Sequence, residues 1–419
     1  MKRPRLFYGY LIVAACFGIQ AIGIGTHVTF GIFFKPLLTE FGWPRATLSG
    51  AHSLAFFMSG LLAVFLGRMN DRLGPRIVMT VTAFLLGLGL ILMSRLSAAW
   101  QIYLFYGILF GMGLSSADVI ALSTTARWFM RRRGMMTGIV KVGSGAGQVL
   151  IPLAASVLIA RFGWRTSYVI IGAFVMLALI AIAQVLRRDP AYMGLLPDGE
   201  RRTETSGPNM PERGISLREA IKGRPFWTIC LANIAIISCL MVIMLHIVPH
   251  TTDLGLSTAT AAAILATIGG ISMAGRLGIG IAIDRVGTKA CILVCFILFV
   301  SAFLCIQLAT ERWMLILFAI VYGFGHGGYF TLLSPLVAEH FGIRSHGVLF
   351  GMVLFAGTFG GGIGPVLAGH IFDVTGSYSP AFWICTAVIT LGFGLLLSLR
   401  QKTQAREVPL DTRSTGSRS

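Results

Sequence analysis

The sequence predicts an all-α membrane protein, with twelve transmembrane helices arranged as two homologous six-helix bundles. Three observations predict it. The 419 residues are 55% hydrophobic and only 12% charged, outside the range of soluble domains. Apolar stretches of about twenty residues, enough to cross ~30 Å of hydrocarbon as helices, recur along nearly the whole chain. The pattern of the first half returns in the second at a nearly fixed offset.

The stretches lie near 8–34, 46–67, 76–96, 99–126, 134–160, 165–186, 226–250, 258–283, 289–309, 313–338, 345–371 and 379–399. They are continuously apolar instead of alternating, so helices are the spanning form, each satisfying its own backbone in lipid. The first is too long for a signal-peptide core and reads as helix one. The polar stretch 187–225 reads as a linker between bundles 1–186 and 226–400, with a short surface helix near Ser216 to Ile221. The polar tail 401–419 is expected to be disordered.

The formal net charge of +18 reports topology, not a nucleic-acid partner. Most Lys and Arg fall on one set of connections: Lys2, Arg3 and Arg5, the loops Arg68 to Arg76 and Arg131 to Arg133, the linker, and the tail after Arg400. By the positive-inside bias that side is cytoplasmic and holds both termini, in a bacterial-type inner membrane. The seven cysteines are scattered through the helices without disulfide or zinc spacing, and Cys291 and Cys295 share a face with no further ligand, so no metal is expected. There is no Gly-x4-Gly-Lys-Ser/Thr loop, so no nucleotide drives the protein and no cofactor is implied.

The repeat is explicit. Gly67-Arg68-Met69-Asn70-Asp71-Arg72-Leu73-Gly74-Pro75-Arg76 returns as Gly280-Ile281-Ala282-Ile283-Asp284-Arg285-Val286-Gly287-Thr288-Lys289, 213 positions later. The same offset relates Gly134 to Gly347, Gly138 to Gly351, Pro152 to Pro365 and Gly163 to Gly376. It slips to 212 between Gly111 and Gly323 and between Phe129 and Phe341.

The paired Gly-x3-Asp-Arg-x-Gly-x-Arg/Lys loops resemble the signature of the major facilitator superfamily, over essentially the whole chain. Trp128-Phe129, Arg131-Arg132-Arg133-Gly134, Gly138 and Gly143-x-Gly145-x-Gly147 resemble the start of the fifth helix in monocarboxylate transporters and the oxalate:formate antiporter group. Phe7-Tyr8-Gly9-Tyr10 is similar to the start of helix one in the same group. The resemblance implies secondary transport by alternating access.

Ionisable residues deep in the membrane are the sharpest pointers, since each costs roughly 2.5–3.5 kcal/mol on insertion scales unless paired or hydrated. Arg276 lies eight residues before Asp284, about 12 Å into the membrane, and its repeat mate is Ala63. A guanidinium fork matches a carboxylate, so Arg276 is the candidate substrate ligand. By position it matches the eighth-helix arginine that the resembled carriers use for substrate carboxylate. Ser272 stands where monocarboxylate carriers often place an aspartate, a departure from their local Asp–Arg proton switch, and helix eleven lacks the lysine that oxalate carriers add; one buried cation favours one carboxylate over two.

Further candidates around the cargo are Tyr329 and His326 on helix ten, Asn233 on helix seven, and Phe355 and Phe359 on helix eleven, with core packing as the competing reading. Asp118 and Lys141 lie at similar depth, about 10–13 Å from the cytoplasmic side, and are expected to pair, either structurally or for proton coupling or gating. His27 and His246 sit near the outer ends of helices one and seven, which are expected to face each other, and histidine exchanges protons near neutral pH. Asp71, Arg72, Asp284 and Arg285 are candidates for a conformational latch, an acidic group facing a helix N-terminus and nearby arginines.

The function expected is symport of a small monocarboxylate of lactate or pyruvate type with protons, by a monomer in the lipid bilayer; exchange of carboxylates is the alternative. A nontransporting sensor would need a large effector domain, and an enzyme a convergent Ser/His/Asp or metal cluster. Neither feature is visible in the sequence.

Overall fold

The computed structural model describes residues 7–43, 45–199 and 214–399. The tail 401–419 and the basic residues Lys2, Arg3 and Arg5 lie outside them. The described part holds α1 (Tyr8–Phe41), α2 (Arg45–Leu73), α3 (Pro75–Met93) and α4 (Ala99–Trp128). Next come α5 and α6, residues 133–162 and 164–185, continuous as Arg133–Val185 but broken by non-helical Gly163. The second half holds α7 (Arg224–Asp253), α8 (Thr258–Val286), α9 (Thr288–Leu308), α10 (Arg312–Phe341), α11 (His346–Thr375) and α12 (Ser379–Ser398).

Several helices outrun their apolar stretches by one or two turns, α1 to Phe41 and α2 to Leu73 among them. The apolar run is set by hydrocarbon thickness, whereas the helix continues wherever solvent or a cap satisfies its last backbone groups. Within α4, Tyr103–Phe110 winds as a π-helix, a local departure from the uniform span expected.

The repeat survives in backbone geometry. The turns after α2 and α8 use Gly74 and Gly287 at φ 84° and 85°, and those after α5 and α11 use Gly163 and Gly376 at 72° and 68°. These left-handed values are open to glycine at little steric cost. Packing repeats too: α1 against α5 is matched by α7 against α11, α2 against α4 by α8 against α10, and α3 against α6 by α9 against α12.

The two halves meet along α2 with α11 and α5 with α8. Both contacts are built on glycine and are the same contact repeated. Gly134 lies against the backbone of Gly280, and their mates, Gly347 and Gly67, lie against each other. Gly138 lies against the carbonyl of Arg276, and its mate Gly351 against the carbonyl of Ala63. Such small residues let backbones approach and slide.

Between α1 and α5 a Cβ on Gly147 would collide with the carbonyl of Ala21, whereas one on Gly362, in α11 of the second half, meets nothing within 4 Å. Gly147→Leu is therefore expected to destabilise by about 2 kcal/mol or more, since the backbones must separate. Gly362→Ala is expected to leave the thermal midpoint of the purified protein unmoved; equal midpoints for the two variants would refute the close-packing account.

The linker begins docked, not free. Asp198 accepts hydrogen bonds from the backbone amides of Met130 and Arg131, both at 2.9 Å, between α4 and α5. Beyond the undescribed stretch, Ile215 N–H donates to Phe341 O at 3.0 Å. The short helix expected near Ser216 is Leu217–Ala220, capped by Ser216 and Glu219.

Candidate functional site

A cavity of about 380 Å³ lies between the halves, lined from α1, α2, α4, α5, α7, α8, α10 and α11. Its floor is charged. Lys141 on α5 donates to Asp118 Oδ1 on α4 at 2.5 Å, and Gln20 on α1 donates to the same oxygen at 2.9 Å. Arg276 on α8 reaches across the interface: its Nη1 donates to Lys141 O at 2.8 Å and to Ser144 Oγ at 2.6 Å.

Arg276 is only 6% exposed, its Nε has no hydrogen-bond partner, and no carboxylate among the described residues pairs with it directly. Asp118 is within electrostatic reach but is held by Lys141 and Gln20. Two cations therefore share one anion. With all three groups ionised, the floor holds one net positive charge in a low-dielectric site, where an uncompensated cation is costly until an anion joins it.

The repeat shows what the floor would be without these charges. The mates of Arg276 and Lys141 are Ala63 and Leu354 at offset 213, and the mate of Asp118 is Phe330 at offset 212. All six residues line the cavity. At each of the three positions the opposite half carries an apolar side chain, so the repeated fold itself does not require the triad. Lys141 Nζ sits 5.8 Å from the centroid of the Phe330 ring, the repeat mate of its ion-pair partner Asp118.

The other predicted residues divide. His326 and Asn233 line the cavity with Arg276. The Asn233 amide is committed, donating to Val353 O at 2.7 Å and accepting from Tyr329 OH at 2.8 Å. Tyr329 is fully buried behind Asn233 and braces it, so the hydroxyl expected to face a cargo faces protein. Phe355 and Phe359 lie off the cavity: Phe355 packs edge-on against Phe57, and Phe359 is 54% exposed on the outer surface. Phe330 and Phe56 supply the aromatic lining instead.

His27 lines the cavity and stacks on His52 with ring centroids 4.4 Å apart. His246 does not face it: its ring bonds Pro365 O at 3.0 Å and Tyr378 OH at 3.2 Å, so it binds α7 to α11 and the start of α12. The α7–α11 contact, mate of α1–α5, takes that side of helix seven, while Asn233, Ile237, Met241 and Met244 on its other side line the cavity.

The aspartates of the paired loops bond to the backbone amides of helix ends. Asp71 accepts from the amides of Gly347 and Val348 at the start of α11, at 3.2 and 3.1 Å. Asp284 accepts from Gly134 and Met135 at the start of α5, at 2.7 and 2.8 Å, each partner the repeat mate of the other pair's. The arginines differ from expectation. Arg72 and Arg285 are exposed, and the guanidinium on Asp71 is that of buried Arg127, at 3.0 Å. Arg127 lies buried in the last turn of α4, and in the sequence it stands too near the basic run Arg131 to Arg133 to be told apart from it.

These contacts sit on the side where the linker docks. There α4 and α5 also pack against α10, and α4 against α11. The linker side is thus sealed beneath the charged floor, and from the floor the cavity runs toward the opposite side, past Ile24, Phe56, Met241 and Met244.

The model of the Major Facilitator Superfamily matches residues 6–287 and 272–417, nearly the entire chain. The chain belongs to that superfamily. It is a multi-pass transporter, not an enzyme, of monocarboxylate-transporter-like sequence. Monocarboxylate transporter 12 of Rattus norvegicus is 25% identical over 95% of this chain and 87% of its own length. Monocarboxylate transporter 13 of Bos taurus is 25% identical over 94% and 89%. Among solved structures, the human organic anion transporter MFSD10 matches with TM-score 0.72 at 16% identity, covering 94% of this chain and 100% of that one. FucP in the outward conformation matches with TM-score 0.71 at 16% identity over 95% and 100%. These two show the superfamily fold.

Lys141 and Asp118 are separable by substitution in this superfamily frame. Lys141→Met is expected to lower the folding free energy by about 2 kcal/mol, because it strands a partly buried carboxylate. Adding Asp118→Asn should restore the thermal midpoint. If the pair only holds the fold, transport returns with stability; the charge pattern predicts that it does not.

Proposed function

We propose that the protein carries a monocarboxylate together with a proton, by alternating access around the Arg276 floor. The observation that carries the reading is the unpaired buried guanidinium with a free Nε, set across the interface that must rearrange during transport. The names of the sequence relatives supply the same chemistry independently. One chain encloses the whole cavity, which supports a monomer as the working unit. The linker side is taken as cytoplasmic in a plasma-membrane setting, from its lysines and arginines.

Charge gives the coupling rule. The empty floor carries one net positive charge, a bound carboxylate cancels it, and a proton restores it. Empty and doubly loaded carriers then face the same electrostatic barrier to reorientation, while the singly loaded forms do not. Asp118 is the proton site in this reading. Protonated, it releases Lys141, which then joins Arg276 on the cargo's carboxylate.

Purified protein in liposomes tests this with labelled monocarboxylates and an imposed pH gradient. Uptake should rise about tenfold with an alkaline lumen, and Asp118→Asn should remove that response while leaving exchange intact. Uptake indifferent to the gradient but stimulated by internal carboxylate would replace symport with carboxylate exchange.

A further inference from the structure

The walls above the charged floor are asymmetric in a second way. Phe56 on α2 lines the cavity, and its repeat mate at offset 213 is Gly269 on α8, which lines the opposite wall. A Cβ on Gly269 meets nothing within 4 Å. One wall therefore carries a phenyl ring where the other carries open space. Gly269 lies seven residues before Arg276, two turns along the same helix face and about 10 Å farther from the linker side.

The same cavity is lined by the apolar side chains of Ile24, Phe56, Ile237, Met241, Met244 and Ile268, with His27, Ser59, Gln148 and Thr358 as polar groups among them. Methionine and aromatic side chains contact an aromatic ring favourably. No carboxylate other than Asp118 lines the cavity among the described residues, and Asp118 is already held by Lys141 and Gln20. A cargo ammonium would find no free counter-charge there. A three-carbon acid on the floor would leave the walls above it facing water.

We infer that the cargo is a monocarboxylate with a bulky apolar body of aromatic size and no amino group, its carboxylate on the Arg276 floor and its body in the space beside Gly269. The inference rests on the carboxylate reading of the same floor, and it narrows the lactate or pyruvate class expected from the sequence. The anchor fixes one end of the cargo; the missing phenyl sets the size of the other.

The test is binding by isothermal titration to the purified full chain, with propionate, 3-phenylpropionate, 3-phenylpropionamide and phenylalanine as probes. 3-Phenylpropionate should bind about thirtyfold more tightly than propionate, from the apolar area its ring removes from water. The amide and phenylalanine should bind no more tightly than propionate. Gly269→Phe, which copies the residue of the other half, should lower the phenylpropionate-to-propionate ratio about tenfold. Phe56→Ala, with a thermal midpoint to verify folding, should weaken 3-phenylpropionate more than propionate.

Equal binding of propionate and 3-phenylpropionate, both lost in Arg276→Ala, would overturn the bulky body and leave the carboxylate floor standing. Phenylalanine binding as tightly as 3-phenylpropionate would overturn the exclusion of an amine. Equal binding of 3-phenylpropionate and its amide, indifferent to Arg276→Ala, would overturn the floor itself.

Discussion

Arg276→Ala is expected to reduce carboxylate uptake in proteoliposomes at least about a hundredfold, the worth of a charge-assisted fork to a carboxylate of roughly 3 kcal/mol. Folding should survive, because among the described residues the guanidinium donates only to Lys141 O and Ser144 Oγ, and Ala63 fills the equivalent place in the other half. Arg276→Lys keeps the charge but loses the fork, so it should recover only part of the activity. The melting transition separates the two causes of failure. An inactive variant that melts normally places the loss in binding, whereas normal transport by Arg276→Ala would remove the residue from the mechanism.

Neutralising both latches is expected to have the second-largest effect. Asp71 and Asp284 each place a carboxylate on the amides that open a helix, α11 and α5, and each contact crosses between the halves. A negative group at such a terminus contributes about 0.3–2 kcal/mol. Losing two should shift the balance toward a linker-side opening by about tenfold or more. Spin labels placed through Met130→Cys and Arg344→Cys, on loops of opposite halves, should report a longer distance in the Asp71→Asn, Asp284→Asn double variant. Arg127→Gln should move in the same direction, because that guanidinium holds Asp71. Arg72→Gln should not, since Arg72 is exposed. An unchanged distance distribution in the double variant would sink the latch.

The fold was legible because its two determinants are written along the chain: apolar length and the repeat. The offset of 213 that aligns Asp71 with Asp284 also aligns their contacts, since a duplicated bundle repeats its interfaces. Arg276 was legible as a charge with no counterpart, and Asp118 with Lys141 as two charges at one depth. Rotation about the helix axis was not. Helices ten and eleven are apolar nearly all round, so no stripe marks the face that meets the cavity. Phe330 could not be told from Phe355 and Phe359, nor could Tyr329 be seen to spend its hydroxyl on Asn233. The direction of the His246 ring was hidden for the same reason, being fixed by α11 and not by its own sequence. Asp198 and Arg127 carry signals no stronger than any other charge in a basic, polar stretch.

Counterflow addresses the central claim most directly. Proteoliposomes loaded with an unlabelled monocarboxylate are diluted into its labelled form, with neither a pH nor an electrical gradient, beside a parallel set loaded with the matching neutral amide. The account predicts transient accumulation of label above equilibrium for the acid, none for the amide, and none for the acid in Arg276→Ala. Counterflow of the amide equal to that of the acid, or of the acid through Arg276→Ala, would contradict it.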